Sequence, residues 1–113
     1  MTRHEVQLTE TALVAIGAQA RYIAKKAKAP LDAQRWLERI WDAVDSLERF
    51  PRRAALAEEA AYVDYEVRQL VIGTHLLLFT IDDTQKRVWI IGLRHGRRLP
   101  RSGETPPGQG NDD

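Results

Sequence analysis

The stretch that most restricts the fold covers residues 67–98 and reads VRQLVIGTHLLLFTIDDTQKRVWIIGLRHGRR. Three short runs rich in Val, Ile, Leu, Phe and Trp are separated by Gly73 and by the turn residues Asp82, Asp83 and Thr84. Apolar runs of this length between turn signals are typical of β-strands. They predict an antiparallel meander with strands at 67–72, 75–81 and 87–93.

The middle run, residues 76–79, is Leu-Leu-Leu-Phe and shows no alternation of apolar and polar positions. Such a run predicts a central strand that is apolar on both faces. One face should meet helices, and the other needs a further cover. Gly73 suits the positive φ that a tight hairpin turn requires.

Upstream of the meander, residues 4–8 alternate in the manner of a short half-buried strand, whose partner must come from the meander. Thr9 is a suitable N-cap for a first helix, with Leu8 and Leu13 spaced as a hydrophobic staple. The apolar face predicted for this helix recurs at steps of three and four residues. It consists of Leu13, Ile16, Ala20, Ile23 and Ala27.

After Pro30, a second helix is predicted to begin at Asp32 and to end near Arg49, before Phe50 and Pro51. Its apolar stripe is Trp36, Leu37, Ile40, Val44 and Leu47, with Trp41 on the flank. The short connection predicts an antiparallel helical hairpin that packs on the sheet. Trp36, Trp41 and Trp89 are therefore expected in core or helix–sheet packing rather than in base stacking.

Residues 51–66 have neither period and are predicted to be mostly loop, with a helical turn favoured around 54–61. Arg52 and Arg53 open this loop. They either contact the carbonyl groups that end the second helix or bind a substrate or partner.

The length of 113 residues predicts a single α+β domain at 1–98, and the Pro- and Gly-rich residues 99–113 predict a disordered tail. The absence of cysteine excludes disulfide and thiolate chemistry. No signal peptide and no membrane-spanning run is evident, so a cytoplasmic protein is expected. Three scattered histidines make a metal site improbable, and no cofactor is expected.

The net charge of +1 is unevenly distributed, because residues 67–101 hold seven Arg or Lys against two Asp. A local excess of cations attracts phosphates or acidic proteins, although arginines at a sheet edge also serve solubility. Arg94, Arg97 and Arg98 are predicted to form a cationic surface that contacts RNA phosphate or an acidic protein segment.

In order and spacing, the segments VQLTETAL, SLERFPRR, VRQL, LLLFTID and LRHGRR resemble the RelE/ParE superfamily of toxins from bacterial type II toxin–antitoxin modules. The resemblance covers about residues 4–98. It implies a β-α-α-β-β-β fold with a helical hairpin on an antiparallel sheet, and a cognate antitoxin that wraps the toxin in a hetero-oligomer. It also implies growth inhibition and a role in plasmid stabilization.

The superfamily has two branches, and the resemblance leaves both open. RelE-like proteins are mRNA interferases that cut mRNA in the ribosomal A site without a metal, whereas ParE-like proteins inhibit DNA gyrase and are not known as nucleases. On the first reading, Arg68 matches the arginine that binds the scissile phosphate, and His95 matches a histidine for general acid/base catalysis.

Each of these two residues also has a structural interpretation. Arg68 would form a salt bridge to Glu66 or Asp64, and His95 would be a strand-end histidine bonded to a carbonyl or carboxylate group. The sequence departs from many RelE-like nucleases, since Gly96 follows His95 and no tyrosine lies downstream. His75 stands where a tyrosine is common in relatives.

Overall fold

The computed structural model describes residues 3–96, which form a five-stranded mixed sheet with two helices on one face. The predicted tail, as well as Arg97 and Arg98, lies outside the described residues. In chain order the strands and helices are β1 (Glu5–Leu8), α1 (Glu10–Arg21), a π-helical turn (Tyr22–Lys26), α2 (Pro30–Ser46), β2 (Ala55–Leu56), β3 (Arg68–Ile72), β4 (His75–Asp82) and β5 (Arg87–His95). Two 3-10 turns, Pro51–Arg53 and Glu58–Tyr62, flank β2.

The strand order is β1-β5-β4-β3-β2. β3, β4 and β5 form the predicted antiparallel meander, and β1 pairs in parallel with β5, so the sheet joins the two ends of the described chain as expected. Gly73 has φ +61° in the β3–β4 turn, which confirms the positive φ expected there. β2 was not predicted, because two residues are too few to show an alternating pattern.

Helix α1 begins as predicted, with the Thr9 hydroxyl accepting a hydrogen bond from the Ala12 N–H at 3.1 Å. The predicted apolar face holds at Ile16, Ala20 and Ile23. It is wrong at Leu13, which is half exposed, and at Ala27, which is exposed and follows the π-helical turn. Thr9 also donates to the Ile90 carbonyl, which ties the start of the helix to β5. Ala12 is fully buried in the same core cluster as Ile90.

Helix α2 begins at Pro30, two residues before the predicted start, and ends at Ser46 rather than near Arg49. Pro30 is compatible with the first helical position, because a proline there loses no helical hydrogen bond. The predicted stripe is confirmed, since Trp36, Ile40, Val44 and Leu47 are buried. Trp41 is 40% exposed, so its predicted core packing is wrong.

The main core lies between the helices and one face of the sheet, where Leu77, Phe79, Val88 and Ile90 pack against α1 and α2. A smaller cluster covers the opposite face, where Ala57 and Val67 pack on Leu78 and Ile91. The second cover that the Leu-Leu-Leu-Phe run requires is therefore the segment between β2 and β3. Within residues 3–96, no helix has the length and apolar character needed to cross a membrane.

Candidate functional site

Arg68 lies at the start of β3, on the sheet face that packs against the helices. Its Nη1 donates to the Ala54 carbonyl at 2.7 Å and to the Arg52 carbonyl at 3.4 Å, and its Nη2 donates to Glu66 Oε1 at 3.3 Å. The salt bridge to Glu66 is the structural alternative that the sequence allowed. Only 15% of the Arg68 side chain is exposed, because the guanidinium joins the loop after α2 to the sheet.

His95 ends β5 and is exposed, directly opposite the first residue of β4, His75. The two imidazole centroids are 5.1 Å apart in an edge-to-face arrangement, and His75 contacts Trp36 of α2 in the same manner at 5.9 Å. His75 is only 8% exposed. Burial lowers the pKa of His75 below its usual 6.5, and the neighbouring His95 lowers it further. The pair thus combines a buried, neutral-favouring imidazole with a solvent-facing one.

Arg68 and His95 do not meet in the sheet. Arg68 is level with Phe79 on β4, whereas His95 is level with His75, four residues further along the same strand. Four residues of strand separate them by roughly 13 Å along the sheet, and two strand spacings add about 9 Å across it. A single phosphate cannot contact both side chains without a large rearrangement. Their joint catalytic role stays a prediction that this geometry does not support.

Arg94 is 6% exposed, so its predicted place on an exposed cationic surface is wrong. β5 continues two residues beyond the predicted end, and the two-residue period turns Arg94 to the face opposite His95. On that face Arg94 Nε donates to Glu59 Oε2, and Nη2 donates to Glu59 Oε1 at 3.3 Å. Glu59 is 3% exposed, and the pair fixes the 3-10 turn Glu58–Tyr62 over the sheet.

Arg52 and Arg53 have different contacts. Arg53 donates from Nη1 to the carbonyl groups of Ser46, Arg49 and Phe50 at 2.9 to 3.4 Å, which is the capping of α2 that the sequence allowed. Arg52 forms a two-pronged ion pair with Asp83 in the β4–β5 turn, at 2.9 and 2.6 Å. This hydrogen-bonded contact raises the pKa of Arg52 and lowers that of Asp83. Substrate or partner binding by either arginine stays a prediction.

Sequence reasoning missed Glu59 and Asp83 as partners and overlooked the burial of His75. The burial of His75 could have been predicted, since it lies two and four residues before the core residues Leu77 and Phe79 and so on the same face of the strand. Glu59 lies in a segment without periodicity, so no local pattern marks it as buried. Across residues 3–96, no cluster of three or more His, Asp or Glu side chains could hold a metal ion.

Comparison with protein families gives a match over residues 6–100 to the model described as the ParE toxin of the type II toxin–antitoxin system parDE. Solved structures that share the fold include two from toxin–antitoxin systems. A chain of the chromosomal ParDE toxin–antitoxin system from P. aeruginosa superposes with a TM-score of 0.63 at 18% identity, covering 82% of this chain and 96% of that one. A chain of the RelBE2 toxin–antitoxin complex from Mycobacterium tuberculosis has a TM-score of 0.58 at 26% identity, covering 83% and 99%. No curated protein matches the sequence.

Proposed function

Because this chain belongs to the ParE toxin family of type II toxin–antitoxin systems, we propose that it is a cytoplasmic toxin held inactive by a cognate antitoxin. We further propose that its target is DNA gyrase, which it inhibits by protein–protein contact without cutting RNA. The separation of Arg68 and His95 across the sheet is the observation that carries this choice.

The contacts of the arginines support the same choice. A phosphate-binding arginine needs a guanidinium fork that faces the substrate. The Arg68 fork is occupied by two carbonyl groups and Glu66, and the Arg94 fork is occupied by Glu59. Binding RNA phosphate at either residue would break contacts that hold the loop segments against the sheet.

The alternative is a metal-independent mRNA interferase that uses Arg68 and His95. The observation in its favour is the His75–His95 pair, because an exposed imidazole beside a buried one is a reasonable general acid or base. On this reading the substrate 2′-hydroxyl attacks the adjacent phosphate. Arg68 would first have to release its carbonyl contacts.

One experiment separates the two functions. The protein is induced without its antitoxin in a bacterial host, and transcript ends and gyrase cleavage complexes are mapped in the same culture. We expect gyrase-linked DNA breaks with intact transcripts, and the same breaks from His95→Gln, which removes imidazole acid/base chemistry. New A-site cuts that vanish in His95→Gln would instead establish the nuclease. A culture that grows normally with folded protein present would refute both.

A further inference from the structure

Two of the three histidines of the chain meet at the end of the sheet where β4 begins and β5 ends. His75 and His95 are far apart in the sequence, but antiparallel pairing places them directly opposite each other. The Gly96 N–H donates to the Thr74 carbonyl at 2.7 Å, so the backbone hydrogen bond lies beside the histidine pair rather than within it. The side chains of such a non-hydrogen-bonded pair lie closer together than those of a hydrogen-bonded pair. Both imidazoles therefore lie next to each other on the sheet face that packs against the helices.

The spacing of the two imidazole rings is compatible with a shared metal ion. Their centroids are 5.1 Å apart, and the ring planes are inclined at 77°. In a tetrahedral zinc site the Zn–N distance is about 2.1 Å, so each ring centroid lies about 3.2 Å from the ion and two ligating centroids lie about 5.2 Å apart. The strands therefore need not move for both rings to ligate one ion.

The neighbours of His75 orient its ring. Nδ1 lies 3.3 Å from the Thr74 hydroxyl, and the ring packs edge-to-face on Trp36 with 5.9 Å between the centroids. A metal-ligating histidine typically donates one ring N–H to a neighbouring group, and that contact orients the other nitrogen toward the ion. The Thr74 hydroxyl is suited to accept from Nδ1, so Nε2 is the nitrogen of His75 that is left for ligation.

The second imidazole belongs to His95, which is exposed. Its ring can turn about the side-chain bonds and bring one nitrogen to the ion from the solvent side. Within residues 3–96, no third His, Asp or Glu completes a metal-binding group with the pair. Imidazole ligands suit Zn²⁺, Ni²⁺ and Cu²⁺, whereas Mg²⁺ and Ca²⁺ require oxygen ligands. The pair therefore selects the late transition metals.

We propose that His75 and His95 form a binding site for a divalent transition-metal ion of the Zn²⁺ class, with His75 Nε2 and one ring nitrogen of His95 as ligands. Two protein ligands leave two tetrahedral positions to water, so the ion is exchangeable and is bound more weakly than in a closed four-ligand site. The ion ties the start of β4 to the end of β5. This inference is independent of the proposed target of the protein.

The test is isothermal titration calorimetry of the full chain with ZnCl₂, in a non-chelating buffer at about pH 7.5, where an ordinary imidazole is neutral. The protein is purified without an oligohistidine tag. We expect one Zn²⁺ to bind per chain. His95→Gln should weaken binding at least about tenfold, since a single imidazole remains. His95 is exposed, so this variant is expected to keep the far-UV spectrum and thermal midpoint of the wild type.

Thr74→Val tests the orientation of His75. It removes the hydroxyl beside Nδ1 and should weaken zinc binding about tenfold, whereas Thr74→Ser keeps the hydroxyl and should bind within about twofold of the wild type. Nitrogen-15 NMR of the imidazole rings gives a direct readout of ligation. Zn²⁺ should shift the ring-nitrogen signals of His75 and His95 and leave those of His4 unchanged.

His4→Gln is the matched control, because it removes the third histidine at the other end of the sheet. The adjacent Glu5 pairs with Arg87, the first residue of β5. His95 is the last of the 9 residues of that strand, so roughly 27 Å of strand separates the two sites. Zinc binding by His4→Gln should stay within about twofold of the wild type.

Three results would overturn the proposal: no binding of Zn²⁺ by the wild type, equal affinity of the wild type and His95→Gln, or equal losses in His4→Gln and His95→Gln. Half a zinc ion per chain would also overturn the single-chain site and would show that two copies share the ion. Gyrase inhibition is measured without added zinc. A failure of the proposed target therefore leaves the metal site standing, and the reverse leaves the target standing.

Discussion

The two faces of the sheet are covered in different ways. The face under α1 and α2 is packed with large aliphatic and aromatic side chains, among them Phe79, Leu77 and Ile40, which are fully buried. The opposite face is covered by a short segment whose apolar residues are few and whose position depends on the buried pair of Glu59 and Arg94. The first face is held by non-directional apolar burial, whereas the second requires one specific charged contact.

Truncation of a buried side chain on the helix-covered face should cause the largest loss in the free energy of unfolding. Phe79→Ala removes a fully buried ring and is expected to lower the free energy of unfolding by about 4 kcal/mol, from lost burial and the cavity left behind. Urea unfolding followed by circular dichroism measures the change. Val71→Ala, at a 65% exposed position of β3, should cost less than about 0.5 kcal/mol. Equal costs at the two positions would show that this face does not form the core.

The loop-covered face should respond to loss of charge rather than volume. Glu59→Gln leaves the Arg94 guanidinium buried without a counter-charge and is expected to cost about 3 kcal/mol. The double variant Glu59→Gln/Arg94→Met removes that unpaired charge and should recover at least half of the loss. If the single variant costs less than about 0.5 kcal/mol, the pair does not hold this segment.

Loss of the contacts that Thr9 makes between the start of α1 and the sheet should have a smaller effect on the free energy of unfolding. The Thr9 hydroxyl accepts from Ala12 and donates to the Ile90 carbonyl. Thr9→Ala should therefore lower the free energy of unfolding by about 1 kcal/mol, and Thr9→Ser should lose much less. The same urea titration distinguishes the two variants. Identical behaviour of Ala and Ser would contradict the capping role.

His75 on the helix-covered face and Asp83 in the β4–β5 turn should change the free energy of unfolding in different pH ranges, and these effects should be smaller. The folded-state pKa of His75 is lowered, so the unfolded chain binds its proton first, and stability falls as pH drops through about 6.5. His75→Phe should flatten the dependence of stability on pH near 6.5.

The pKa of Asp83 is also lowered, so its contribution to stability is lost only as pH falls below about 4. Asp83→Asn should therefore leave the pH dependence that is due to His75 unchanged. Unfolding measured from pH 8 to pH 3 tests both.

Much of this architecture could be predicted from the sequence, and the failures have identifiable causes. The meander, the pairing of β1 with it and the buried stripe of α2 follow from apolar periodicity. Periodicity also suggested Leu13 for the buried side of α1, but the contact between Thr9 and Ile90 turns Ala12 toward the sheet. Strand β5 contains one extra residue, Ile91, which lies between the pairs Leu78–Gly92 and Phe79–Ile90. No local sequence pattern predicts such a β-bulge.

The candidate site was harder to predict, because charged residues carry no information about their partners. The sequence allowed a salt bridge from Arg68 to Glu66, but it did not indicate the other partners. Arg68, Arg94 and Arg52 are held by carbonyl or carboxylate groups that lie 2, 14, 16, 31 or 35 residues away. All five contacts involve the segment between α2 and β3, which shows no helix or strand periodicity. The arginines near the sheet therefore serve mainly to attach that segment.

The most direct test of the proposed function is an ATP-dependent supercoiling assay with purified gyrase and purified toxin, in the absence of ribosomes. We expect the wild-type protein to inhibit supercoiling and His95→Gln to inhibit it to the same extent within about twofold, since no imidazole chemistry is required. Normal supercoiling in the presence of the toxin, together with A-site cleavage of mRNA on added ribosomes, would contradict the proposed function.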